Sequence, residues 1–467
     1  MEQAAGFTRA EKLTVLAAAC TAIFINPLVG SMLNLALTAI GDDLGCSTHQ
    51  LGWLTSVYFI ASVMAMMPAA KLSDIYGKKR IFMLGICIAV AGLILSSTSR
   101  DIYMLYLYRA FTGLGTAMIS CNSVSMISDV YLRNERGMAL SVNTACVYIG
   151  GSIGPTLGGV ITEFLGWRAL FIVMIPLLVV SLFFISRFKH NIKSTPDSKF
   201  DSKGAAVYMT GVLVTMLGVL SLPEMYAFAM IGIGASVMVG FVLLERGTER
   251  PLMDLRLFRN SRFSRSLTAL FLNYASSWSI SFFLSLYFQS IGAMTPSEAG
   301  MVLMIQPLFQ VIVTLSVGRF IDSVDYRILP TVGMGVLCVS LGMMMFIGTE
   351  PNLPYACLCL ALAGIGFGLF SSPNTTATMS YVHPTEYNEA SGMISTMRQT
   401  GMMVSMATAT CLIAIYMGSS ASLTEENYSV FIDIMRYTWA ICIVYNLVGM
   451  VFSWFRGKSS AEPKVVD

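Results

Sequence analysis

The stretch Ile81-Phe-Met-Leu-Gly-Ile-Cys-Ile-Ala-Val-Ala-Gly-Leu-Ile-Leu-Ser-Ser97 contains no charged residue. The stretch from Ala205 to Leu222 is likewise free of charge. A helix needs about 20 mostly apolar residues to cross a hydrocarbon core about 30 Å thick, and apolar runs of about this length recur along the chain. The sequence therefore predicts an all-α integral membrane protein, because isolated strands in lipid would leave backbone groups without hydrogen-bond partners.

The composition agrees with this prediction. The chain has 467 residues, of which 55% are hydrophobic and 12% are charged, whereas a soluble chain carries about 25% charged residues. Its 29 basic and 26 acidic residues give a net charge of +3, which is too small for a nucleic-acid-binding surface. Every cysteine except Cys46 falls in or beside an apolar run, which predicts free thiols. The apolar run from Leu13 is too long for a secretory signal and is predicted to remain as the first span.

Apolar runs separated by charged or turn-forming segments predict fourteen spans. Lysine and arginine concentrate in alternate loops; only Arg100 and Arg168 fall clearly in the opposite loops, with Arg436 near the outer end of the last span. By the positive-inside rule, both termini are then cytoplasmic and the protein lies in the cell membrane. Cys46 falls in the first outer loop, where we expect it to react with a membrane-impermeant thiol reagent. The predicted spans lie near residues 13–38, 51–70, 81–98, 102–124, 139–160, 168–187, 204–222, 226–244, 265–288, 298–318, 329–348, 354–376, 391–416 and 432–454.

Two weak internal repeats indicate two related halves. Ala70-Lys-Leu-Ser-Asp74 after span 2 resembles Gly318-Arg-Phe-Ile-Asp322 after span 10, at an offset of 248 residues (322 − 74). Thr112-Gly-Leu-Gly115 in span 4 resembles Ala363-Gly-Ile-Gly366 in span 12, at an offset of 251 residues (366 − 115). Because the two offsets nearly agree, spans 2 and 10 are predicted to be equivalent, as are spans 4 and 12. Pseudo-symmetric halves with a site between them are typical of transporters.

The longest charged and turn-rich segments, 187–203 and 245–265, bracket spans 7 and 8. The predicted architecture is therefore two pseudo-symmetric six-helix bundles plus two inserted helices. Its three parts are an N-terminal six-helix bundle over residues 1–200, a two-helix insert with a cytoplasmic linker over 201–262, and a C-terminal six-helix bundle with a short tail over 263–467.

Three motifs carry a family resemblance. Asp74-Ile-Tyr-Gly77-Lys78-Lys79-Arg80 follows span 2, Arg109-Ala-Phe-Thr-Gly113-Leu-Gly115 lies in span 4, and Gly150-Gly-Ser-Ile-Gly154-Pro155-Thr-Leu-Gly158-Gly159 lies in span 5. With them, the chain resembles the major facilitator superfamily from about residue 13 to 455, and within it the fourteen-span drug:proton antiporter family of the EmrB/QacA type. The resemblance implies the major facilitator fold and multidrug-type efflux.

Two further segments, 167–171 and 245–258, look like those of the fourteen-span branch. The chain also departs from that branch. Val29 stands where span 1 often has an acidic residue, and Met174 replaces a frequent asparagine. Because Val29 replaces the acidic residue, it is in doubt whether this chain binds cations and protons through a carboxylate, as the family usually does.

The resemblance implies a gating role for the loop after span 2 and for its repeat after span 10. In the outward-facing state, Asp74 would hold the two halves together on the cytoplasmic side, with Gly77 permitting a tight turn. The alternative is that Lys78, Lys79 and Arg80 are solvated charges that only orient the protein. The predicted gating residues of the two loops are Asp74, Gly77, Arg80 and Asp322.

Span 5 is predicted to hold a second gating element. Gly150, Gly154 and Gly158 recur every four residues and share one helix face, and Pro155 loosens the helix beside them. Ordinary close packing explains such a face. The functional alternative is a kinkable interface between span 5 and span 8 or 10 that controls leakage, with Gly154 and Pro155 as its gating residues.

Two arginines are the only charges placed well inside the spans. Arg109 lies about seven residues inside span 4, or about 10 Å deep, where it either snorkels outward or faces the interior. The resemblance links it to proton movement. Arg398 lies about two turns from the cytoplasmic end of span 13, where anchoring and transport are both open interpretations.

Uncharged polar residues in the spans are candidates for lining a cavity or for bonding neighbouring helices. Gln306 and Gln310 are four residues apart and therefore share one face. The predicted substrate or coupling residues of this kind are Asn34, Asn122, Trp278, Gln306, Gln310 and Asn374.

The function predicted from these residues is secondary transport. The sequence has no Walker lysine motif and no evident pairing of a nucleophile with a base, so neither an enzyme nor a cofactor is predicted. We expect a monomer that exports small amphipathic compounds by alternating access, with lipid as its surroundings and protons as a candidate coupling ion. An importer or facilitator of a small solute, or a receptor on the same fold that moves no solute, would share most of these features.

Coupling is where the sequence is least like the family. Spans 1 to 13 contain no aspartate, glutamate or histidine at mid-membrane depth. A permanent cation is best held by a carboxylate in a dry cavity, so we expect neutral or anionic amphipaths to be preferred. Any proton coupling would then involve carboxylates near the rim, such as Asp129 and Glu163.

Overall fold

The computed structural model describes residues 7–131, 133–193, 200–247, 252, 255–317, 325–382, 387–418 and 423–457. Within these ranges the chain is helical with no strand, and one helix corresponds to each predicted span. Thirteen of the described helices are long and apolar enough to cross a membrane, and the shorter α11 has 17 residues. The helices are α1 (Arg9–Leu44), α2 (Thr48–Tyr76), α3 (Lys78–Ser97), α4 (Ile102–Val130), α5 (Arg133–Leu165), α6 (Trp167–Arg187), α7 (Ser202–Leu220), α8 (Met225–Arg246), α9 (Ser261–Ile291), α10 (Pro296–Val317), α11 (Ile328–Met344), α12 (Leu353–Ser380), α13 (Tyr387–Tyr416) and α14 (Tyr428–Phe455).

Several helices begin at polar caps that lie outside the apolar runs. Thr8 and Glu11 form a reciprocal capping box at α1, and Ser47 and Gln50 form another at α2. The Asp101 side chain accepts a hydrogen bond from the first turn of α4. Each cap satisfies backbone N–H groups that have no partner within the helix. These helices are therefore longer than the apolar runs that predicted them.

The two halves repeat the same packing pattern. In the first half α1 packs on α5 and α6, α2 packs on α4, and α3 packs on α4 and α6. In the second half α9 packs on α13 and α14, α10 packs on α12, and α11 packs on α12 and α14. This pattern pairs α2 with α10 and α4 with α12, as the sequence repeats predicted. The halves meet where α2 contacts α13 and where α5 contacts α10.

The inserted pair α7 and α8 lies at the side of the two halves. Helix α7 contacts α2 and α13, and the Tyr208 hydroxyl donates a 3.1 Å hydrogen bond to the Val63 carbonyl of α2. Helix α8 packs mainly on α7, where a Cβ on Gly234 would lie 2.3 Å from Thr215 Oγ1. Large apolar side chains of α8, such as Phe228 and Leu243, are exposed. We therefore expect α8 to face lipid.

The glycine face of α5 packs against α1. A Cβ on Gly154 would lie 2.6 Å from Ser31 Cβ, and one on Gly158 would lie 2.6 Å from Met32 Cα. The predicted contact of this face with span 8 or 10 is therefore wrong for these glycines, because α1 crosses α5 inside the same half. Helix α10 approaches a neighbouring part of α5 instead, where a Cβ on Gly300 would lie 2.5 Å from the Pro155 carbonyl oxygen.

Candidate functional site

A polar cavity lies between the two halves. Its volume is about 140 Å³, which is enough for several water molecules. Helices α1 and α5 of the first half and helices α9, α10, α12 and α13 of the second half supply its walls. A solute in this cavity would therefore contact both halves at once. The polar residues that line it are Ser31, Asn34, Tyr148, Tyr274, Ser277, Trp278, Ser281, Gln306, Gln310 and Arg398.

The structure brings five predicted substrate or coupling residues together at this cavity, namely Asn34, Trp278, Gln306, Gln310 and Arg398. Four of them, Trp278, Gln306, Gln310 and Arg398, come from the second half and are contributed by three different helices. Asn34 comes from α1 of the first half, so the group spans the interface between the halves. The spacing of Gln306 and Gln310 places both amides on the cavity side of α10, as their shared face predicted.

Asn122 and Asn374 were also predicted as lining candidates, and the structure places both outside this cavity. Asn122 Nδ2 donates a 2.8 Å hydrogen bond to the Met118 carbonyl of its own helix. Asn374 Oδ1 accepts a 2.6 Å hydrogen bond from the buried Arg456 guanidinium. Asn374 therefore bonds a neighbouring helix, which is the alternative that the sequence left open, whereas Asn122 bonds within its own helix.

Aromatic side chains of the cavity were missing from the predicted set. The Tyr148 hydroxyl lies 3.0 Å from Ser371 Oγ, and the Tyr274 hydroxyl lies 3.5 Å from the same atom. The Tyr274 ring meets Phe367 edge to face at 4.9 Å between centroids. Their position inside apolar runs could have identified these tyrosines as cavity candidates, because a buried hydroxyl needs a polar partner.

Arg398 is the one charged side chain among the described residues that line the cavity. Helix α13 begins at Tyr387, eleven residues before Arg398 (398 − 387), so Arg398 lies about 16 Å along the helix. The helix thus begins about one turn before the predicted span, which starts near residue 391. The guanidinium Cζ lies 5.9 Å from the Tyr274 ring centroid. Its buried Nε has no hydrogen-bond partner in the part of the chain that is described.

Helix α9 is irregular where it passes the cavity. Its regular hydrogen bonding is interrupted at Trp278, and the Ser279 amide donates a 3.0 Å hydrogen bond to Ser405 Oγ of α13. The Trp278 ring packs edge to face on Phe59 at 5.6 Å. Trp278 Nε1 and Asn34 Oδ1 are buried, and the described residues offer no hydrogen-bond partner to either. These two residues therefore bring an unpartnered donor and an unpartnered acceptor to the cavity wall.

The halves are joined at the end of the bundle that carries the loop 45–47, called here the first-loop end. Thr38 Oγ1 of α1 donates a 2.6 Å hydrogen bond to Gln289 Oε1 of α9. Ser285 Oγ donates a 2.6 Å hydrogen bond to the Asn34 carbonyl. A Cβ on Gly52 would lie 2.0 Å from Thr410 Cγ2. These contacts close the space between α1 and α9 and between α2 and α13 at this end.

Glu163 lies at the same end. Its side chain is exposed and its carboxylate accepts a 3.2 Å hydrogen bond from the Ser297 amide in the first turn of α10. The carboxylate thus sits at a helix N-terminus of the other half, where negative charge is favoured. Glu163 is therefore an interhalf contact residue at the rim.

The turn between α2 and α3 lies at the opposite end, and one of its predicted charges is buried. The Lys78 side chain is 1% exposed, and its Nζ lies 2.5 Å from Asp129 Oδ2. The description of Lys78 as a solvated orienting charge is therefore wrong. Asp129, predicted as a rim carboxylate, is the ion-pair partner of Lys78.

Gly77 occupies the centre of this turn with φ at 105°. A Cβ at this position would lie 2.1 Å from Asn191 Oδ1, and Asn191 Nδ2 donates a 3.0 Å hydrogen bond to the Tyr76 carbonyl. The turn therefore requires glycine both for its backbone angle and for space. Of the other predicted gating residues, Asp74 is half-buried and Arg80 is exposed, whereas Asp322 lies outside the described residues.

Arg109 is fully buried, so of the two alternatives for this side chain the interior one holds. Its guanidinium Cζ lies 4.6 Å from the centroid of the Tyr58 ring, and the described chain provides no hydrogen-bond partner for its nitrogens. The Tyr58 hydroxyl donates to Asn26 Oδ1 and accepts a 3.0 Å hydrogen bond from Thr116 Oγ1. Arg109 therefore belongs to a polar cluster inside the first half and is not a lining residue of the cavity.

Cys46 is also less accessible than predicted. Its side chain is 7% exposed in the loop between α1 and α2, and burial raises the pKa of its thiol. Both effects slow reaction with a thiol reagent, because the thiolate is the reacting form.

Among the described residues, no group of three or more histidine, cysteine, aspartate or glutamate side chains could hold a metal ion.

Two equivalent six-helix bundles around a shared polar cavity are the architecture of a secondary transporter. A model of the Major Facilitator Superfamily matches residues 19–406 and 266–466, and the chain belongs to this family. The chain is similar to the riboflavin transporter RibZ of Clostridioides difficile (strain 630), with 26% identity over 455 residues that cover 95% of this chain and 97% of that protein. It is also 26% identical over 405 residues to the multidrug resistance protein Stp of Mycobacterium tuberculosis (strain CDC 1551 / Oshkosh), covering 85% of this chain and 74% of that protein.

The fold agrees with solved transporter structures. The crystal structure of a POT family transporter in complex with a thioalcohol-conjugated peptide matches with a TM-score of 0.72 at 15% identity, covering 97% of this chain and 98% of that one. An identity this low shows a shared fold alone. Because it belongs to the Major Facilitator Superfamily and its relatives are transporters, this chain is a multi-pass membrane transporter and not an enzyme.

Proposed function

We propose that this transporter exports small amphipathic compounds by alternating access, as a fourteen-span drug:proton antiporter of the EmrB/QacA type. The observation that carries the proposal is the cavity itself, which takes walls from both halves and lies beside interhalf contacts at the first-loop end. Rigid-body rocking of the two halves around such a site exposes the site to one side of the membrane at a time. The similarity to a multidrug resistance protein supports export of varied compounds.

The proposed arrangement in the membrane follows from the charge distribution. Both termini would be cytoplasmic, which would make the first-loop end the outer end. The monomer would consist of an N-terminal bundle (1–200), a two-helix insert (201–262) and a C-terminal bundle (263–467). The packing of α7 on both α2 and α13 supports treating the insert as a side element of the two bundles.

Gating and coupling would use the residues around the cavity. In the outward-facing state, Asp74 and Asp322 would hold the cytoplasmic ends of the halves together, with Gly77 shaping the turn beside Arg80. Gly154 and Pro155 would permit α5 to slide against its neighbours. The proton-coupling candidates are the buried Arg109 cluster and the rim carboxylate Glu163.

The test is flux in proteoliposomes that contain the purified full chain. A fluorescent amphipathic dye should accumulate faster than in empty liposomes, and an imposed pH gradient should accelerate it. The double variant Gln306→Ala/Gln310→Ala should slow flux, whereas Ser236→Ala on exposed α8 should not. Equal dye movement in protein-containing and empty liposomes would remove the transport proposal, and flux without pH dependence would remove the proton coupling alone.

A second candidate is import of a small nutrient. The similarity to a riboflavin transporter over 97% of that protein supports a small nutrient as the solute. The direction of net flux in intact cells separates the two candidates: loss of the protein should raise the cellular content of an exported compound and lower that of an imported one.

A further inference from the structure

We infer that the cavity selects planar aromatic anions and that Arg398 is the residue that binds their acidic group. This inference rests on the proposed function in one respect: the bound anion is a transported solute only if the protein is a transporter. It concerns equilibrium binding, however, and is therefore measurable apart from flux.

The first step is the charge of the cavity. Arg398 contributes a cation about 16 Å along α13, and no carboxylate belongs to the described lining. A guanidinium at membrane depth is costly unless acceptors or water compensate it. Its guanidinium Cζ lies 5.9 Å from the centroid of the Tyr274 ring, and its Nε has no hydrogen-bond partner in the described chain. An anionic ligand would supply the missing acceptor, whereas a cationic ligand would be repelled.

The second step is the geometry of the donor. A guanidinium presents N–H groups in a planar fork that matches the two oxygens of a carboxylate. The Tyr274 ring beside it and the Trp278 ring on the adjacent turn of α9 give this part of the cavity flat apolar surfaces. An aromatic ring lies favourably against such surfaces. Charge and shape together therefore favour a flat aromatic body with one acidic group.

The third step is the uncharged polar set that faces the same space. Trp278 Nε1 is a donor and Asn34 Oδ1 an acceptor, and the described residues leave both without a partner. Gln306 and Gln310 add amides from α10. These groups can bond polar substituents on the ring system but cannot neutralise a second charge. The expected ligand is therefore a monoanion with neutral polar substituents.

The test uses three anthracene derivatives of matched size that carry a carboxylate, a carboxamide or a trimethylammonium group. Binding to the full chain in nanodiscs is measured by equilibrium dialysis. The carboxylate should bind the wild type about tenfold more tightly than the carboxamide, and the trimethylammonium compound should bind weakest. Charge-assisted hydrogen bonds lead us to expect that Arg398→Gln weakens carboxylate binding about 10- to 100-fold and leaves carboxamide binding nearly unchanged.

Two further variants control the result. Arg398→Lys keeps the charge but loses the fork, so its carboxylate affinity should fall between those of the wild type and Arg398→Gln. Arg100→Gln removes an exposed arginine in the loop after α3 and should bind like the wild type. If Arg398→Gln does not purify as a monodisperse protein, the loss of affinity in Arg398→Lys decides the question.

The inference is overturned if the wild type binds carboxylate and carboxamide equally, or if the carboxylate preference survives in Arg398→Gln. Flux of the same compounds into proteoliposomes is read separately. Selective carboxylate binding without flux would leave the inference standing and contradict the transport function. If all three compounds are transported at one rate, and that rate is unchanged in Arg398→Gln, the transport function stands and the inference about anion selection is contradicted.

Discussion

Lys78 Nζ lies 2.5 Å from Asp129 Oδ2, which ties the first residue of α3 to the end of α4. The lysine side chain is 1% exposed and the aspartate side chain 27% exposed. The pair stands beside Gly77, and the Lys78 amide also donates a 3.0 Å hydrogen bond to the Ile192 carbonyl. A residue of the basic motif therefore fixes the α2–α3 turn against two other parts of the first half.

Asp129→Asn is expected to destabilise the protein, because it leaves the buried Lys78 ammonium without the carboxylate that neutralises it. The free energy of unfolding should fall by roughly 3 kcal/mol, which is the lower end of the range for breaking a buried ion pair, because Asp129 is partly exposed. The double variant Lys78→Met/Asp129→Asn should recover much of this loss. Chemical denaturation of the purified protein measures it, with the exposed Lys193→Gln as control. Wild-type stability in Asp129→Asn would contradict the buried pair.

Gly77→Ala is expected to lower both stability and flux. The residue has φ at 105°, and its new Cβ would lie 2.1 Å from Asn191 Oδ1, so strain of about 1–3 kcal/mol adds to displacement of Asn191. Gly232→Ala in α8 is the matched control, because nothing lies within 4 Å of a Cβ there. Thermal unfolding of the two variants side by side should show a loss at Gly77 only. Equal midpoints would mean that the turn adapts without cost.

Thr38 and Gln289 allow a test of the closed first-loop end. Their side chains share a 2.6 Å hydrogen bond between α1 and α9. With cysteines at both positions, a short bifunctional thiol reagent should link the halves and stop flux, because the cavity can then no longer open at this end. Each single cysteine variant should keep its flux after the same treatment. Full flux in a completely linked double variant would show that transport needs no separation of α1 and α9.

Labelling tests the orientation of the chain. A cysteine at exposed Asp42 should react with an impermeant maleimide on intact cells, whereas one at exposed Lys189 should react only after the cytoplasmic side is opened. The reverse pattern would contradict the proposed topology.

Cys46 should react slowly with the same reagent, because it is 7% exposed and burial raises its thiol pKa. A raised pKa means less thiolate at neutral pH, so the rate should climb as pH rises from about 7 to 10. The exposed Asp42→Cys in a Cys46→Ala background provides the comparison rate. Rapid labelling of Cys46 at neutral pH would show that the loop 45–47 opens readily.

The sequence alone determined the helices, their number and their repetition in two halves. Charge-free stretches such as Ile81 to Ser97 permit only a helix in lipid, and length then decides that each stretch spans the membrane. The tight turn at Gly77 was also expected, because the motif that contains this glycine resembles the loop after span 2 in the major facilitator superfamily. These properties are local, so neighbouring residues suffice to specify them.

Only the tertiary structure decided which polar residues share the cavity. Helices in lipid can be apolar on every face, so the sequence does not distinguish a face toward lipid from a face toward another helix. Gln310 and Asn374 are both amides inside spans, yet one lines the cavity and the other bonds Arg456. Arg398 lines the cavity, whereas the other arginine inside a span, Arg109, points inward onto Tyr58. These outcomes depend on how each helix is rotated and crossed by its neighbours, which packing over the whole fold sets.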